Sequence, residues 1–195
     1  MKEGAFLMKN ITTRKLVEAA LMIAIATVLS LFKIDLPFGG GVTIVSMLPL
    51  VIHSHRYGVK WGVFTAFVYS IFQLLLGMDN VSYASNIIGA VVIILFDYII
   101  AYTVIGLASL FGKDSKGIVL GILFAFFLRF LCHYITGVFI WDGWMPETFM
   151  NLPMTSPWIY SLLYNGWYML VETILTILVA LLLNKTAGQR IFNVK

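Results

Sequence analysis

Five ionisable side chains stand inside long apolar runs of this chain: Glu18, Asp97, Arg129, His133 and Glu172. A charge at membrane depth costs about 2.5–3.5 kcal/mol even on insertion scales, so such a group faces a polar cavity or pairs with another charge. Arg129, His133 and Gly137 recur every four residues, which places them along one face of one helix. Trp141 extends that face, with the drift expected of 3.6 residues per turn. Asp97, in the middle of the preceding apolar run, is the natural partner for Arg129, although Glu172 offers Arg129 a second acid. Two readings of the Asp97–Arg129 pair follow. It is a buried salt bridge that fixes helix register, or it borders a polar pocket in which Asp97 also accepts from a ligand amine. His133 is likewise either a hydrogen-bonded packing residue or a contact in that pocket.

Around these groups lies a concentration of aromatic residues with polar tips: Tyr134, Trp141, Trp144, Trp158, Tyr160, Tyr164, Trp167 and Tyr168, with the neutral Asn165 among them. An aromatic belt at the membrane–water interface accounts for many of them. A box of aromatic faces is also how a protein binds a delocalised cation without burying a bare counter-charge. The chemistry indicated is therefore capture of a small organic cation rather than bond-breaking. No nucleophile–base constellation is visible. His53-Ser-His55 is expected in an inner loop and lacks the i,i+4 spacing of helical metal ligands, so neither a metal nor a cofactor is expected. Cys132 is the only cysteine and forms no intrachain disulfide. Walker-type phosphate loops are absent, so ATP-driven work requires another subunit.

The elements that must position these residues are membrane spans. The chain has 195 residues, 61% hydrophobic and 11% charged, which is too apolar for one soluble core. A span needs about 20 apolar residues, and six segments emerge at roughly 15–33, 43–55, 59–77, 86–111, 117–141 and 157–184. The expected fold is an all-α bundle of six transmembrane helices forming a single substrate-binding domain, 1–195, with no room for a soluble catalytic domain. The first run follows Arg14 and Lys15 without a small-x-small cleavage site, so it is read as a retained span rather than a signal peptide. Pro49 is expected to kink or tilt the short second segment.

Net charge is +4, but distribution matters more than the sum. Lys2, Lys9, Arg14, Lys15, Arg56, Lys60, Lys113, Lys116, Lys185, Arg190 and Lys195 fall at the two termini or in two alternate loops. The opposite loops carry Asp35, Asp79, Asp142 and Glu147 against Lys33. The basic side is cytoplasmic by the positive-inside rule, and both termini lie on it. The positive charge thus serves the lipid bilayer and does not point to nucleic acid. Gly39-Gly40-Gly41 after Pro37 marks one outer loop, and Asp142 to Ser156, stiffened by Pro146 and Pro153, marks the longest. In the first span Ala20 and Ala24 form a small-xxx-small pair, which lets a second helix approach closely, either one of this chain's own or a partner subunit's.

These stretches together resemble the S-components of energy-coupling factor transporters, specifically the thiamine-specific family, over essentially the whole chain. The resemblance is carried by Val17-Glu-Ala-Ala-Leu-Met-Ile-Ala24, Arg56-Tyr-Gly-Val-Lys-Trp-Gly62, Asp97-Tyr98, Leu128-Arg-Phe-Leu-Cys-His133 with Gly137 and Trp141, and Ser156-Pro-Trp-Ile-Tyr160 through Asn165-Gly166. It implies that Asp97, with Tyr98 beside it, binds the aminopyrimidine of thiamine. It implies ligand contacts for His133, Gly137, Trp141, Tyr160 and Asn165, and matches Arg129 to a basic residue one turn before the histidine. Trp144 is chosen for a second tryptophan of the outer loop, whose length departs from the family's, and Tyr83 for a tyrosine before the acid. The acid is Asp where some members have Glu, which changes its reach by about 1.5 Å. Ala20 and Ala24, by the same resemblance, dock the coupling transmembrane subunit that joins two ATPase subunits.

The expectation is a multi-pass cell-membrane protein that captures thiamine or a related small cation outside for ATP-driven uptake, and is not itself an enzyme. The alternatives are an S-component for hydroxymethylpyrimidine, riboflavin or a queuosine precursor, and a small intramembrane enzyme in which Glu18, Glu172 and His133 converge. A further alternative is a structural membrane subunit whose polar groups all pair with one another.

Overall fold

The computed structural model describes residues 2–35, 40–187 and 191–192, and of these the side chains of all but 2–10 and 35. Pro37 and Gly39 of the first outer loop, and Arg190 and Lys195 of the basic C-terminus, lie outside the described residues, as do the side chains of Lys2, Lys9 and Asp35. The chain is mostly helical. Helix α1 (Lys2–Leu31) runs into a short hairpin in which β1 (Lys33–Asp35) pairs antiparallel with β2 (Gly41–Thr43), Ile34 opposite Val42. Then follow α2 (Leu48–Tyr57), α3 (Val59–Leu76), a single turn at Met78–Val81, α4 (Ile87–Ser109) and α5 (Ser115–Phe139). A second small hairpin, β3 (Thr148–Phe149) with β4 (Leu152–Pro153), leads into α6 (Pro157–Thr186).

The helix starts are written in local chemistry. Asn86 and Asp114 accept from the backbone N–H groups of Gly89 and Gly117 at 2.8 and 3.1 Å, and Ser156 accepts from Trp158. Each satisfies a donor that the first turn leaves unpaired. Helix α4 is not uniform: Ile93–Ile100 is wound as a π-helix and Val104–Ser109 as a 3-10 helix. Wider and tighter winding re-aims side chains along one rod, and such segments often accompany functional sites.

Among the described residues, four helices, Val59–Leu76, Ile87–Ser109, Ser115–Phe139 and Pro157–Thr186, are long and apolar enough to cross a bilayer. That is fewer than the six expected. Helix α1 carries Arg14, Lys15 and Glu18 in its middle, and α2 has ten residues, about 15 Å at 1.5 Å per residue. Pro49 does not kink α2. It sits in the first turn, where its missing N–H would have had no helical partner anyway. The expected inner loop from His53 is also corrected. Only Gly58, at φ +83, separates α2 from α3, and His53, Ser54 and His55 are fully buried. They find partners inside the bundle: His53 meets Thr65 Oγ1 at 3.0 Å and the Lys15 carbonyl at 3.3 Å, Ser54 donates to the Gly106 carbonyl at 2.6 Å, and His55 Nδ1 meets the Val51 carbonyl at 3.0 Å while its Nε2 stays unpartnered.

The main core joins α2, α3, α4 and α5 through Leu50, Val51, Ala66, Ile105, Ile122 and Phe126. The outward faces instead carry exposed large apolar residues, among them Leu75, Phe127, Leu170 and Leu178, as a lipid-facing surface requires. At one end of the bundle Glu18 bridges Arg14 at 3.0 Å and Arg56 at 2.9 Å, and Asn184 meets Ser115. Basic segments distant in sequence thus gather there. Helices α4 and α5 approach so closely that a Cβ on Gly121 would lie 1.7 Å from the Ala108 carbonyl oxygen, whereas one on Gly166 would meet nothing nearer than 3.9 Å. Gly121→Ala is therefore expected to lower the melting temperature of the detergent-solubilised protein, at a cost of about 1–3 kcal/mol. Gly166→Ala should leave it unchanged or slightly raised.

Candidate functional site

At the end of the bundle opposite the Glu18 cluster lies a cavity of about 600 Å³, within the range of small-molecule sites. Its walls include every residue expected to meet substrate: Asp97, Tyr98, Arg129, His133, Gly137, Trp141, Trp144, Tyr160 and Asn165. One correction concerns its extent. The residues expected to meet substrate all come from the fourth, fifth and sixth segments and the long outer loop, but α1, β2 and the end of α3 close the other side through Ser30, Thr43, Gln73 and Gly77. Nothing in an apolar run marks such uncharged residues as cavity-facing, so they escaped notice.

Asp97 is the focus of this cavity. It belongs to the π-wound turn of α4, and three side chains of α5 and its exit hold its carboxylate. His133 Nδ1 lies 3.0 Å from Oδ1, Thr136 donates to Oδ1 at 2.5 Å, and Trp141 Nε1 donates to Oδ2 at 3.0 Å. A carboxylate only accepts, so His133 donates through Nδ1, which leaves Nε2 as the acceptor of the ring. Nε2 is buried with no protein partner. Asp97 keeps acceptor capacity beyond these three bonds, and it lines open space. Thr136 went unrecognised as a partner because a threonine in a helix ordinarily bonds its own backbone, as this one also does to Cys132 and His133.

The expected Asp97–Arg129 pair does not form. Arg129 instead bonds Glu172 of α6 at 2.8 Å, lies over the Tyr102 ring at 4.8 Å and reaches Met169 Sδ at 3.3 Å. Thr43 of β2 also donates to Glu172. Glu172 lies on the α6 face that packs against α5, and pairing there neutralises both charges away from the corner that Asp97 holds. The three acids and bases proposed to converge for intramembrane catalysis are dispersed. Glu18 serves the arginines at the far end, Glu172 serves Arg129, and His133 serves Asp97.

The remaining expected contacts divide by what occupies them. Tyr98 OH donates to the Gly77 carbonyl at 2.7 Å and accepts from Asn80, which ties α4 to the end of α3. Asn165 donates to the His133 carbonyl at 3.2 Å and to Ser161 at 3.0 Å and accepts from Tyr168. A Cβ on Gly137 would fall 2.3 Å from Ser161 Oγ, so glycine there permits the close α5–α6 packing that these bonds need. Tyr160 is buried with its hydroxyl unpartnered at the cavity wall. Trp144 and Tyr83 meet edge-on at 5.4 Å and are both half exposed at the rim. Of the other aromatics, Tyr164 and Tyr168 line the cavity, while Trp158 and Trp167 point outward. Ala20 and Ala24 are exposed on the outer face of α1, whereas Ala19, Ile23 and Ala26 pack inward.

The buried Arg129–Glu172 pair makes a prediction independent of any ligand. Arg129→Met or Glu172→Met alone leaves an uncompensated buried charge and should cost about 3–5 kcal/mol. The double variant should recover most of the lost melting temperature in thermal unfolding.

Comparison with known proteins agrees with this architecture. Residues 16–192 match the sequence profile of the family described as Thiamine transporter protein (Thia_YuaJ). Thiamine transporter ThiT of Bacillus subtilis (strain 168) is 30% identical over 189 residues, covering 89% of this chain and 91% of the relative. Thiamine transporter ThiT of Lacticaseibacillus paracasei is 28% identical over 192 residues, covering 89% and 88%. A solved structure of ThiT from Listeria monocytogenes shares the fold at a TM-score of 0.77, with 19% identity over 94% of this chain and 99% of that one. By the extent of these matches, the chain belongs to the thiamine transporter protein family.

Proposed function

We propose that this chain is the substrate-binding S-component of an energy-coupling factor transporter, capturing thiamine from outside the cell for uptake driven by separate coupling and ATPase subunits. The observation that carries the reading is the Asp97 carboxylate. It is held by His133, Thr136 and Trp141 and faces a cavity rimmed and walled by tyrosine and tryptophan. The aminopyrimidine amine of thiamine donates to Asp97 in a charge-assisted bond. The delocalised charge of the thiazolium is stabilised over aromatic faces, with Trp141, Trp144 and Tyr160 the nearest candidates. Tyr98, Arg129, Gly137 and Asn165 shape the pocket through the bonds and packing already described.

In this reading 1–195 is a single membrane domain of six spans. Helix α1 and the region of α2 add to the four long apolar helices, and both termini lie in the cytoplasm with the basic end. The cavity then faces outward. The chain itself performs no chemistry on its ligand and hydrolyses no ATP. Docking of the coupling subunit falls to the outer face of α1, where Ala20 and Ala24 leave a shallow exposed strip on which another helix can settle.

Intrinsic tryptophan fluorescence tests the binding claim directly. Titration of the purified protein with thiamine should give a saturable quench at micromolar ligand or below. Asp97→Asn should weaken it about 10–100-fold, the range for losing a bond to a charged group, and Trp141→Ala should also weaken it. Riboflavin should not compete. Absence of a saturable quench, or unchanged affinity in both variants, would remove the proposal. The docking claim separates from it: Ala20→Leu with Ala24→Leu should abolish thiamine uptake by cells supplying the coupling and ATPase subunits, while binding by the purified variant stays intact.

A further inference from the structure

The side of the cavity formed by α1 and α3 carries polar groups that no step above uses. Gln73 of α3 donates through Nε2 to Ser30 Oγ at 2.9 Å, and Ser30 donates its one hydroxyl proton to the Thr27 carbonyl at 2.7 Å. With that proton committed, Ser30 can only accept from Gln73. The carboxamide is thereby oriented: its nitrogen faces α1, and its carbonyl oxygen Oε1 is turned away. Among the described residues no side chain or backbone group donates to Oε1, and it is not among the buried polar atoms left without a partner. Gln73 and Ser30 both line the cavity, so the oriented acceptor is open to it. This acceptor is uncharged and stands on the opposite wall from the α5 side chains His133 and Trp141. Its complement is a neutral donor, a hydroxyl, and not a second cation, which would lose more on desolvation than a single amide oxygen returns.

We propose that Gln73, oriented by Ser30, is a specificity subsite that reads an alcohol on the ligand. The cavity so equipped distinguishes a hydroxyl-bearing heterocyclic cation from its deoxy counterpart. On the thiamine reading, on which this inference rests, the group read is the terminal hydroxyl of the hydroxyethyl chain. Ser30 acts as the positioning residue: its removal frees the carboxamide to rotate and present either end.

The test is a cycle of two ligands against two variants, read by tryptophan fluorescence on the full-length purified protein. The ligands are thiamine and the analogue with an ethyl group in place of hydroxyethyl. The wild type should bind thiamine about tenfold more tightly than the analogue, the value of one neutral hydrogen bond in a dry site. Gln73→Leu should lose about tenfold for thiamine and nothing for the analogue, so that the two bind alike. Ser30→Ala should narrow the preference without abolishing either affinity. Persistent preference for thiamine in Gln73→Leu, equal affinities in the wild type, or loss of both ligands in Gln73→Leu each overturn the proposal, the last by marking Gln73 as a structural residue. Failure of the wild type to bind thiamine at all would instead strike the transporter reading itself, and the two failures are therefore distinct.

Discussion

A charge placed where water cannot reach it must be answered by the protein, and this chain answers its buried charges in different ways. Arg129 and Glu172 answer each other, with Tyr102, Met169 and Thr43 filling out their shells. That arrangement is close to neutral, and it leaves Arg129 at the cavity wall with its Nε unpartnered. Asp97 is answered by His133, Thr136 and Trp141 on one side only, and its other side is the cavity. In a low-dielectric surround the incomplete arrangement is where a ligand gains most, because the carboxylate is already oriented and has acceptor capacity left. The separation of these two solutions leaves Asp97, and not Glu172, as the carboxylate that lines the cavity.

Packing makes that separation possible. Gly137 brings α6 against α5 closely enough for Asn165 and Ser161 to lock onto backbone carbonyls of α5. The same approach sets Glu172 beside Arg129 and leaves Asp97 to His133. On the other flank, the π-wound turn of α4 carries Asp97 and Tyr98 together. Tyr98 secures the end of α3 while Asp97 turns to α5. Adjacent residues of a helix point roughly 100° apart, so the two serve different neighbours.

The aromatic residues do two jobs that composition does not separate. Trp158 and Trp167 sit on the outer surface, as an interfacial belt requires. Trp141, Tyr160, Tyr164 and Tyr168 turn inward to the cavity, and the Trp144–Tyr83 pair stands at its mouth. The two sets interleave along α6, so helical phase and not residue type assigns each one.

Much was determined by the sequence alone. Apolar run length and the placement of lysine and arginine made this a helical membrane protein, because a long uninterrupted apolar run in lipid satisfies its own backbone only as a helix, whereas barrel strands are short and alternate. The ionisable residues within those runs named Asp97 and His133 as cavity candidates, since a charge there is too costly to be incidental, and helical spacing added Trp141 to the face of His133. What pairs with what was decided only by tertiary structure. Arg129 can reach either of two acids, and the choice of Glu172 depends on the α5–α6 approach that Gly137 allows. His53 and His55 look like loop residues until Thr65, the Lys15 carbonyl and Val51 supply their partners in the bundle. The α1–α3 wall of the cavity was invisible for the same reason: serine and glutamine in an apolar run carry no charge to betray their direction, and only the register between helices decides which way they face.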